Sequence, residues 1–221
     1  MIWHNSLTKY CHLGIYSPDK APYSEVAKIL NDKFFYSTGR GLTLQNLIYI
    51  SKESFIVNGM VTMRAFLKDA LPNIILNRHQ KDDKDRSNKQ PSYWDWFYEC
   101  NKLTVSHLKN NWKKGLIEGF IPRDVAENLL SHEKIGTFIM RFSQTMVGVI
   151  SFVNNYGGTA FFRSNDFKDK TLDEIVLNCE SLTTLYKDIP REQVFFSSPS
   201  QASTPVNADY VRFDISFHLK R

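Results

Sequence analysis

Apolar residues in the first half of the chain recur at the spacing of amphipathic helices. They return every three or four positions from Tyr23 onward, just after Pro18 and Pro22. This spacing puts apolar side chains on one face of a helix. Residues 22–114 are therefore predicted to form a small all-helical unit. The apolar faces expected for its helices are Val26, Ile29, Leu30 and Phe34; Leu44, Leu47 and Ile48; Met63, Phe66, Leu67 and Ala70; and Trp94, Phe97, Val105, Leu108 and Trp112.

An almost purely polar stretch, residues 77–92, separates the last two of these helices. It mixes both signs of charge, as solvated and flexible loops do. A basic patch that binds nucleic acid is the alternative interpretation, against which Asp82, Asp83 and Asp85 speak. We therefore predict an exposed loop.

The pattern changes after Gly119, where one helix, three strands and a second helix are expected. Pro122 suits the first turn of the first helix, and Thr171 with Glu174 forms the capping box of the second. The strand-like runs are residues 136–145, 147–154 and 158–165, and the last two are joined by the hairpin sequence NYGG. A helix can cover each face of such a sheet. The fold class predicted for the whole chain is α+β, with a small antiparallel sheet flanked by two helices after the helical unit.

The end of the chain has a third pattern. Residues 197–205 read as a flexible linker. Residues 210–219 then alternate strictly between apolar and polar side chains, which is typical of a half-buried strand. A strand that follows a linker can pair outside its own domain. We expect a linker and a tail strand over 197–221.

Composition narrows the classes of function. The chain has 221 residues, enough for one or two domains, and lacks an apolar run that could span a bilayer. Its three cysteines lie far apart, which fits neither a disulfide framework nor a zinc site and favours a reducing compartment. Its six histidines have no nucleophile or metal spacing beside them. We expect no enzyme, cofactor, metal or membrane, while the net charge of +5 leaves nucleic-acid binding as a rival.

Arg141 stands in the middle of the first predicted strand, where a charged residue is unexpected. Alternation places it on the face that carries Ile139 and Ser143, which the preceding helix would cover. A buried guanidinium needs a partner, because an unpaired buried charge costs several kcal/mol. One possible partner is a carboxylate within the chain, that of Glu127 or Asp124.

An anion from outside the chain is the other possible partner. Ser143 and Thr145 supply hydroxyl groups close to Arg141 in the sequence, and Arg123 supplies a second cation. A phosphate accepts paired hydrogen bonds from an arginine and further bonds from hydroxyls. On residue types alone, the internal and the external partner are equally well supported.

Several collinear motifs resemble one known family. The stretch around Arg141 resembles the opening of a Src-homology-2 domain, in which a G-T-F-x-x-R-F-S strand carries the arginine that binds phosphotyrosine. In detail it is similar to the signal transducer and activator of transcription (STAT) family, and the helical part resembles that family's linker domain. The resemblance extends from about Tyr23 to Phe196. Its motifs are YSEVAKILNDKFFYSTGRGLTLQNLIYI, MRAFLKDALPN, YWDWFYE, WKKGLIEGFIPRDVAENLLSHEKIGTFIMRFSQT and LTTLYKDIPREQVF.

The resemblance implies a phosphotyrosine site around Arg141. That arginine would hold the phosphate. Ser143 and Thr145 would donate hydrogen bonds from their hydroxyls, and Arg123 would be the second basic contact. Gln144 stands where the family often has a glutamate, so the rim of the site has one negative charge fewer.

The resemblance also implies a role for the tail. Tyr210 follows the linker-like segment, as does the tyrosine that a kinase phosphorylates in the family. Phosphorylation adds about −1.5 to −2 charges at pH 7. The modified Tyr210 would dock on Arg141 of a second copy, and Val211 and Phe213 would grip the partner. Two such contacts would form a two-fold homodimer.

The expected organisation is a helical linker domain over 22–114, a Src-homology-2 domain over 115–196 and a phosphotyrosine tail over 197–221. Residues 1–21 would hold at most the end of the family's DNA-binding domain. The implied partners are a tyrosine kinase, a receptor or upstream phosphoprotein, and DNA only through domains outside this chain. The implied location is the cytoplasm, and the nucleus after activation. A stand-alone phosphotyrosine adaptor or a dominant-negative regulator without DNA binding is the alternative, and a non-specific nucleic-acid-binding protein is a further one.

Overall fold

The computed structural model describes residues 19–52, 56–71 and 90–195. The predicted tail strand, most of the polar loop and the first 18 residues lie outside this part of the chain. Within it, none of the helices has the length and the apolar character needed to cross a bilayer.

The described residues cluster into two compact units. The first contains the described residues up to Val105 together with Gln144–Gly148. The second contains Ser106–Ser143 and the described residues from Val149 onward. The domain bounds given above, 22–114 and 115–196, stay a prediction about which parts act as functional modules.

The first unit combines the predicted helices with a small sheet. Buried residues of its longest helix include Val26, Leu30 and Phe34, as the spacing predicts. Its described elements are β1 (Lys20–Pro22), α1 (Tyr23–Thr38), α2 (Leu44–Ile50), β2 (Ile56–Val57), β3 (Met60–Thr62), α3 (Met63–Leu67) and α4 (Tyr93–Leu103).

The sheet shows that the prediction of an all-helical unit was wrong. Strands β2 and β3 form a hairpin around Asn58 and Gly59, whose φ angles are 51° and 74°. Two successive left-handed residues match the turn that Asn-Gly favours between antiparallel strands. Strand β3 also pairs with β1, and the Tyr23 amide donates to the Gly59 carbonyl at 2.8 Å. These strands of two or three residues are too short to show a period in the sequence.

The apolar face predicted for α2 was also wrong. Leu44 and Ile48 are 75% and 40% exposed, while Asn46 and Ile50 are buried. Asn46 and Ile50 lie four positions apart and therefore share one side of the helix. In this seven-residue helix the apolar residues alone did not identify the buried side.

Val105 is a third exception, because the helix that carries it changes geometry. α4 is followed by a π-helical turn over Thr104–Leu108, and Val105 is 42% exposed. A π-turn inserts an extra residue into the helical repeat. The residues after Leu103 therefore leave the phase that the α-helical spacing predicts, and Thr104 takes the buried place.

The second unit is built on a five-stranded sheet of order β6-β5-β4-β7-β8. All neighbouring strands are antiparallel except β4 and β7, which are parallel. Its described elements are α5 (Lys109–Lys113), α6 (Arg123–Leu130), β4 (Thr137–Phe142), β5 (Val149–Asn154), β6 (Thr159–Arg163), a 3₁₀ turn (Ser164–Phe167), α7 (Leu172–Leu177), β7 (Thr184–Leu185), β8 (Ile189–Pro190) and α8 (Arg191–Val194).

The core of this unit lies on both faces of β4 and β5, in which every residue is buried. On one face Phe142 contacts the rings of Trp112 and Phe120, and Phe138 contacts that of Phe195. Helix α6 packs against both strands. Helices followed by a sheet with flanking helices confirm the predicted α+β class and a Src-homology-2-like architecture.

Candidate anion-binding site around Arg141

Arg141 lies near the end of the central strand β4 and is only 2% exposed. Its register partner on β5 is Ser151, which is completely buried. Strand alternation sets Arg141 on the face opposite to Phe142. The guanidinium therefore lies inside the second unit, as the sequence predicts.

Neutral oxygens of Ile121 and Ser151 accept hydrogen bonds from this guanidinium. Nε of Arg141 donates to the carbonyl oxygen of Ile121 at 2.6 Å, and Nη1 donates to Oγ of Ser151 at 3.2 Å. The Ser151 hydroxyl in turn donates to the Arg141 carbonyl at 3.3 Å. These bonds orient the guanidinium and leave its positive charge unchanged.

The segment before α6 runs alongside β4 and brings the start of the helix to Arg141. The Glu118 amide donates to the Met140 carbonyl, and the Phe142 amide donates to the Gly119 carbonyl, both at 2.9 Å. The helix then begins at Arg123. Ile121, whose carbonyl receives the Arg141 bond, is only two residues before this second arginine.

Arg123 is half-buried, and its Nε donates to Oε1 of Glu127 at 2.7 Å. Glu127 is one of the two carboxylates that the sequence offers as an internal partner of Arg141. A pair four residues apart on a partly exposed helix contributes only about 0.3–0.5 kcal/mol. The pair with Glu127 therefore contributes little to the position of Arg123.

The remaining predicted site residues follow β4 directly. Ser143 is buried, and its amide donates to the Val149 carbonyl at 2.9 Å. Gln144 and Thr145 are half-buried and belong to the segment that clusters with the first unit. Within the second unit the structure thus brings Arg141, Ser143 and the start of α6 together.

Two further residues lie on the same sheet face as Arg141, and the sequence pattern alone did not identify them. Ser151 is paired with Arg141, and Phe161 of β6 is paired with Ser151. Residues in register share a face, so the three form one row across the sheet. Phe161 is 37% exposed, whereas Arg141 and Ser151 are buried. The alternation within β5 and β6 indicates which residues share a face with Ser151 or with Phe161. Only the strand register shows that this face is the one that carries Arg141.

The predicted tail contacts and the question of a metal site remain to be described. Tyr210, Val211 and Phe213 lie outside the described residues. Among residues 19–52, 56–71 and 90–195, no group of three or more metal-ligating side chains comes together.

The chain is similar to known proteins at low sequence identity. No protein-family model matches the chain. It is 28% identical over 240 aligned residues to the "Signal transducer and transcription activator" of Drosophila melanogaster, an alignment that covers 99% of this chain and 30% of that protein. It is 27% identical over 212 residues to the protein of the same name from Anopheles gambiae, covering 88% of this chain and 27% of that protein. The chain thus spans less than a third of the length of these relatives, whose shared name describes a signal transducer that activates transcription.

Proposed function

Because the chain is a distant homologue of the STAT proteins over nearly its whole length, we propose that it is a phosphotyrosine-binding part of a signalling transcription factor. The observation that carries this proposal is the buried Arg141, held by the neutral oxygens of Ile121 and Ser151. Bonds to neutral oxygens orient the guanidinium without neutralising its charge, and a charged guanidinium is a strong hydrogen-bond donor to a phosphate.

The groups around Arg141 suit the phosphate of a phosphotyrosine. The phosphate would receive hydrogen bonds from Arg141, Arg123 and the hydroxyl groups of Ser143 and Thr145. Gln144 at the rim would add no negative charge. A buried site strengthens such charge-assisted bonds, because there is little water to compete with them.

Phe161 would contact the ring of the phosphotyrosine. Neighbouring strands lie about 4.8 Å apart, so its backbone is about 10 Å from that of Arg141. If the phosphate binds at the end of the Arg141 side chain, the aromatic ring of the ligand would lie over Phe161, the exposed residue of the row. Two aromatic rings in contact add about 0.5–1.5 kcal/mol, which a phosphoserine cannot gain.

The tail would supply the ligand for a second copy of the chain. Phosphorylated Tyr210 would enter the Arg141 site of a partner, with Val211 and Phe213 as the apolar contacts beside it. The partner's tail would do the same in return. The second contact forms within an existing complex, and its effective concentration raises the stability of the dimer.

The remaining assignments follow from this role. A tyrosine kinase would modify Tyr210, and a receptor or another phosphoprotein upstream would offer a first phosphotyrosine to Arg141. DNA would be bound only through domains outside this chain. The protein would be cytoplasmic before activation and nuclear after it.

The substitution Arg141→Lys tests the proposal. Lysine keeps the charge but is a point donor that cannot bind a phosphate with a bidentate fork. We expect calorimetry with a peptide of residues 207–217 phosphorylated on Tyr210 to show nearly complete loss of binding.

The matched control is Arg191→Lys. Arg191 also donates from its guanidinium to backbone carbonyls, those of Val176, Cys179 and Leu182, which lie in α7 and just after it. It should leave the affinity unchanged. An Arg141→Lys variant that binds like the wild type would remove the basis of the assignment.

A further inference from the structure

We propose that Ser151 is a positioning residue for phosphotyrosine binding, and that its hydroxyl sets the direction in which Arg141 presents its donors. This inference rests on the proposed function above. It concerns a residue that does not itself need to contact the ligand.

The geometry of the pair is reciprocal. Ser151 lies directly opposite Arg141 in the antiparallel register of β4 and β5. Its Oγ accepts from Nη1 of Arg141 at 3.2 Å and donates to the Arg141 carbonyl oxygen at 3.3 Å. The hydroxyl is therefore oriented by the backbone of the residue whose side chain it holds.

Because the guanidinium is planar, these two contacts determine the direction in which its third nitrogen points. A guanidinium is planar, so its third nitrogen has a fixed position once the other two are held. Ile121 holds Nε and Ser151 holds Nη1. The position of Nη2 then follows. The bond to Ser151 is one of the contacts that fix this direction, so we expect its loss to weaken the orientation of the guanidinium.

The neutrality of the hydroxyl is equally important. A carboxylate at position 151 would hold the guanidinium more tightly, but it would also neutralise the charge that a phosphate requires. A serine orients the group and leaves that charge available. Substitutions at position 151 can therefore remove either the orientation of the Arg141 guanidinium or its available charge, one at a time.

The test measures binding of the phosphorylated 207–217 peptide to four variants of the full chain by calorimetry. Ser151→Ala removes the hydroxyl without adding bulk, and we expect about tenfold weaker binding, in the range of one lost bond to a charged group. Ser151→Thr keeps the hydroxyl and should stay within about threefold of the wild type. Ser151→Asp should abolish binding.

The fourth variant, Thr159→Val, is the matched control. Thr159 is a buried hydroxyl residue of the same sheet, and its Oγ1 has no hydrogen-bond partner among the described residues. Its replacement should leave the peptide affinity unchanged. Thermal unfolding of each variant identifies losses of affinity that come from a damaged fold.

A spectroscopic readout separates positioning from a merely structural role. In nitrogen-edited NMR spectra without peptide, the Arg141 guanidinium signals should show slow rotation in the wild type and averaging in Ser151→Ala. Wild-type affinity in Ser151→Ala, or unchanged signals, would overturn the inference. If the wild type does not bind the phosphopeptide, the proposed function fails, and the NMR comparison alone decides whether Ser151 positions Arg141.

Discussion

Arg141 is bonded through Nε to the carbonyl oxygen of Ile121, and this 2.6 Å contact joins the central strand to the segment that starts α6. The backbone reinforces the connection, since the Phe142 amide donates to the Gly119 carbonyl. A movement of the strand end would therefore shift the start of the helix and Arg123 with it. The proposed pocket is consequently a single hydrogen-bonded assembly, in which the two arginines have related positions.

Charge substitutions on α6 should change phosphopeptide affinity in opposite directions. Glu127 pairs with Arg123 at 2.7 Å, and in the proposed site it would compete with the phosphate for that cation. Glu127→Gln should therefore bind the peptide about two- to fivefold more tightly, and Arg123→Gln should bind it more weakly. Calorimetry at low and high salt is the measurement, and both effects should shrink as salt screens them. Unchanged affinity in Arg123→Gln would show that Arg123 is not part of the pocket.

Phosphorylation of Tyr210 should convert the chain from monomer to dimer. The proposed reciprocal contact would bury two phosphate groups in two arginine sites and close with two-fold symmetry. Light scattering after stoichiometric phosphorylation should report twice the monomer mass at micromolar concentration. The controls are Tyr210→Phe, which cannot be phosphorylated there, and phosphorylated Arg141→Lys. A persistent monomer in the phosphorylated wild type would refute the role of the tail.

Gly136→Ala should destabilise the second unit by about 2–4 kcal/mol. Gly136 has a φ of 88°, and an added Cβ would collide with the Thr183 side chain. Gly59→Ala is the control, because its φ is 74° but the space beside it is open. That variant should lose only about 1–2 kcal/mol from backbone strain. Chemical denaturation measures both, and equal losses would mean that the Thr183 contact costs nothing.

The pH dependence of stability should show the ionisation of the buried Tyr23 phenol. Its hydroxyl donates to the Leu47 carbonyl at 2.6 Å, and burial raises the pKa of the phenol above its ordinary value near 10. A group with a raised pKa in the folded state contributes stability that is complete below its unfolded pKa and is lost as the pH rises through the folded value. The wild type should therefore lose stability more steeply than Tyr23→Phe as the pH rises above about 10.

At neutral pH the same Tyr23→Phe variant should be less stable by about 0.5–1.5 kcal/mol, the net contribution of one hydrogen bond. Denaturant unfolding at several pH values gives both quantities in one series. Parallel curves for the two proteins at high pH would indicate that the phenol ionises as readily in the folded chain as in the unfolded one.

The parts of the fold that the sequence predicted are those with long and regular patterns. The 16-residue helix α1 has enough turns to define a buried face. Arg141 could be assigned to one face of the sheet because the side chains of the six residues of β4 point to the two faces in turn. The capping box of Thr171 and Glu174 was equally clear and is present. Regular repetition over several turns or residues makes such elements predictable.

The missed features are short, or they depend on contacts between distant segments. The Asn58-Gly59 turn had a recognisable local signal, but its strands have only two or three residues. The parallel pairing of β7 with β4 links residues about 47 positions apart, as Thr137 and Thr184 show. Ser151 looked like an ordinary strand residue, because its partnership with Arg141 exists only in the folded register.

Titration of the wild-type chain with two synthetic peptides of residues 207–217 tests the central claim most directly. The peptides differ only in the phosphate on Tyr210. We predict that the phosphorylated peptide binds at least about 100-fold more tightly, since the phosphate adds several charge-assisted hydrogen bonds. Equal affinities for the two peptides, or no binding of either, would contradict the assignment of Arg141 as a phosphotyrosine-binding residue.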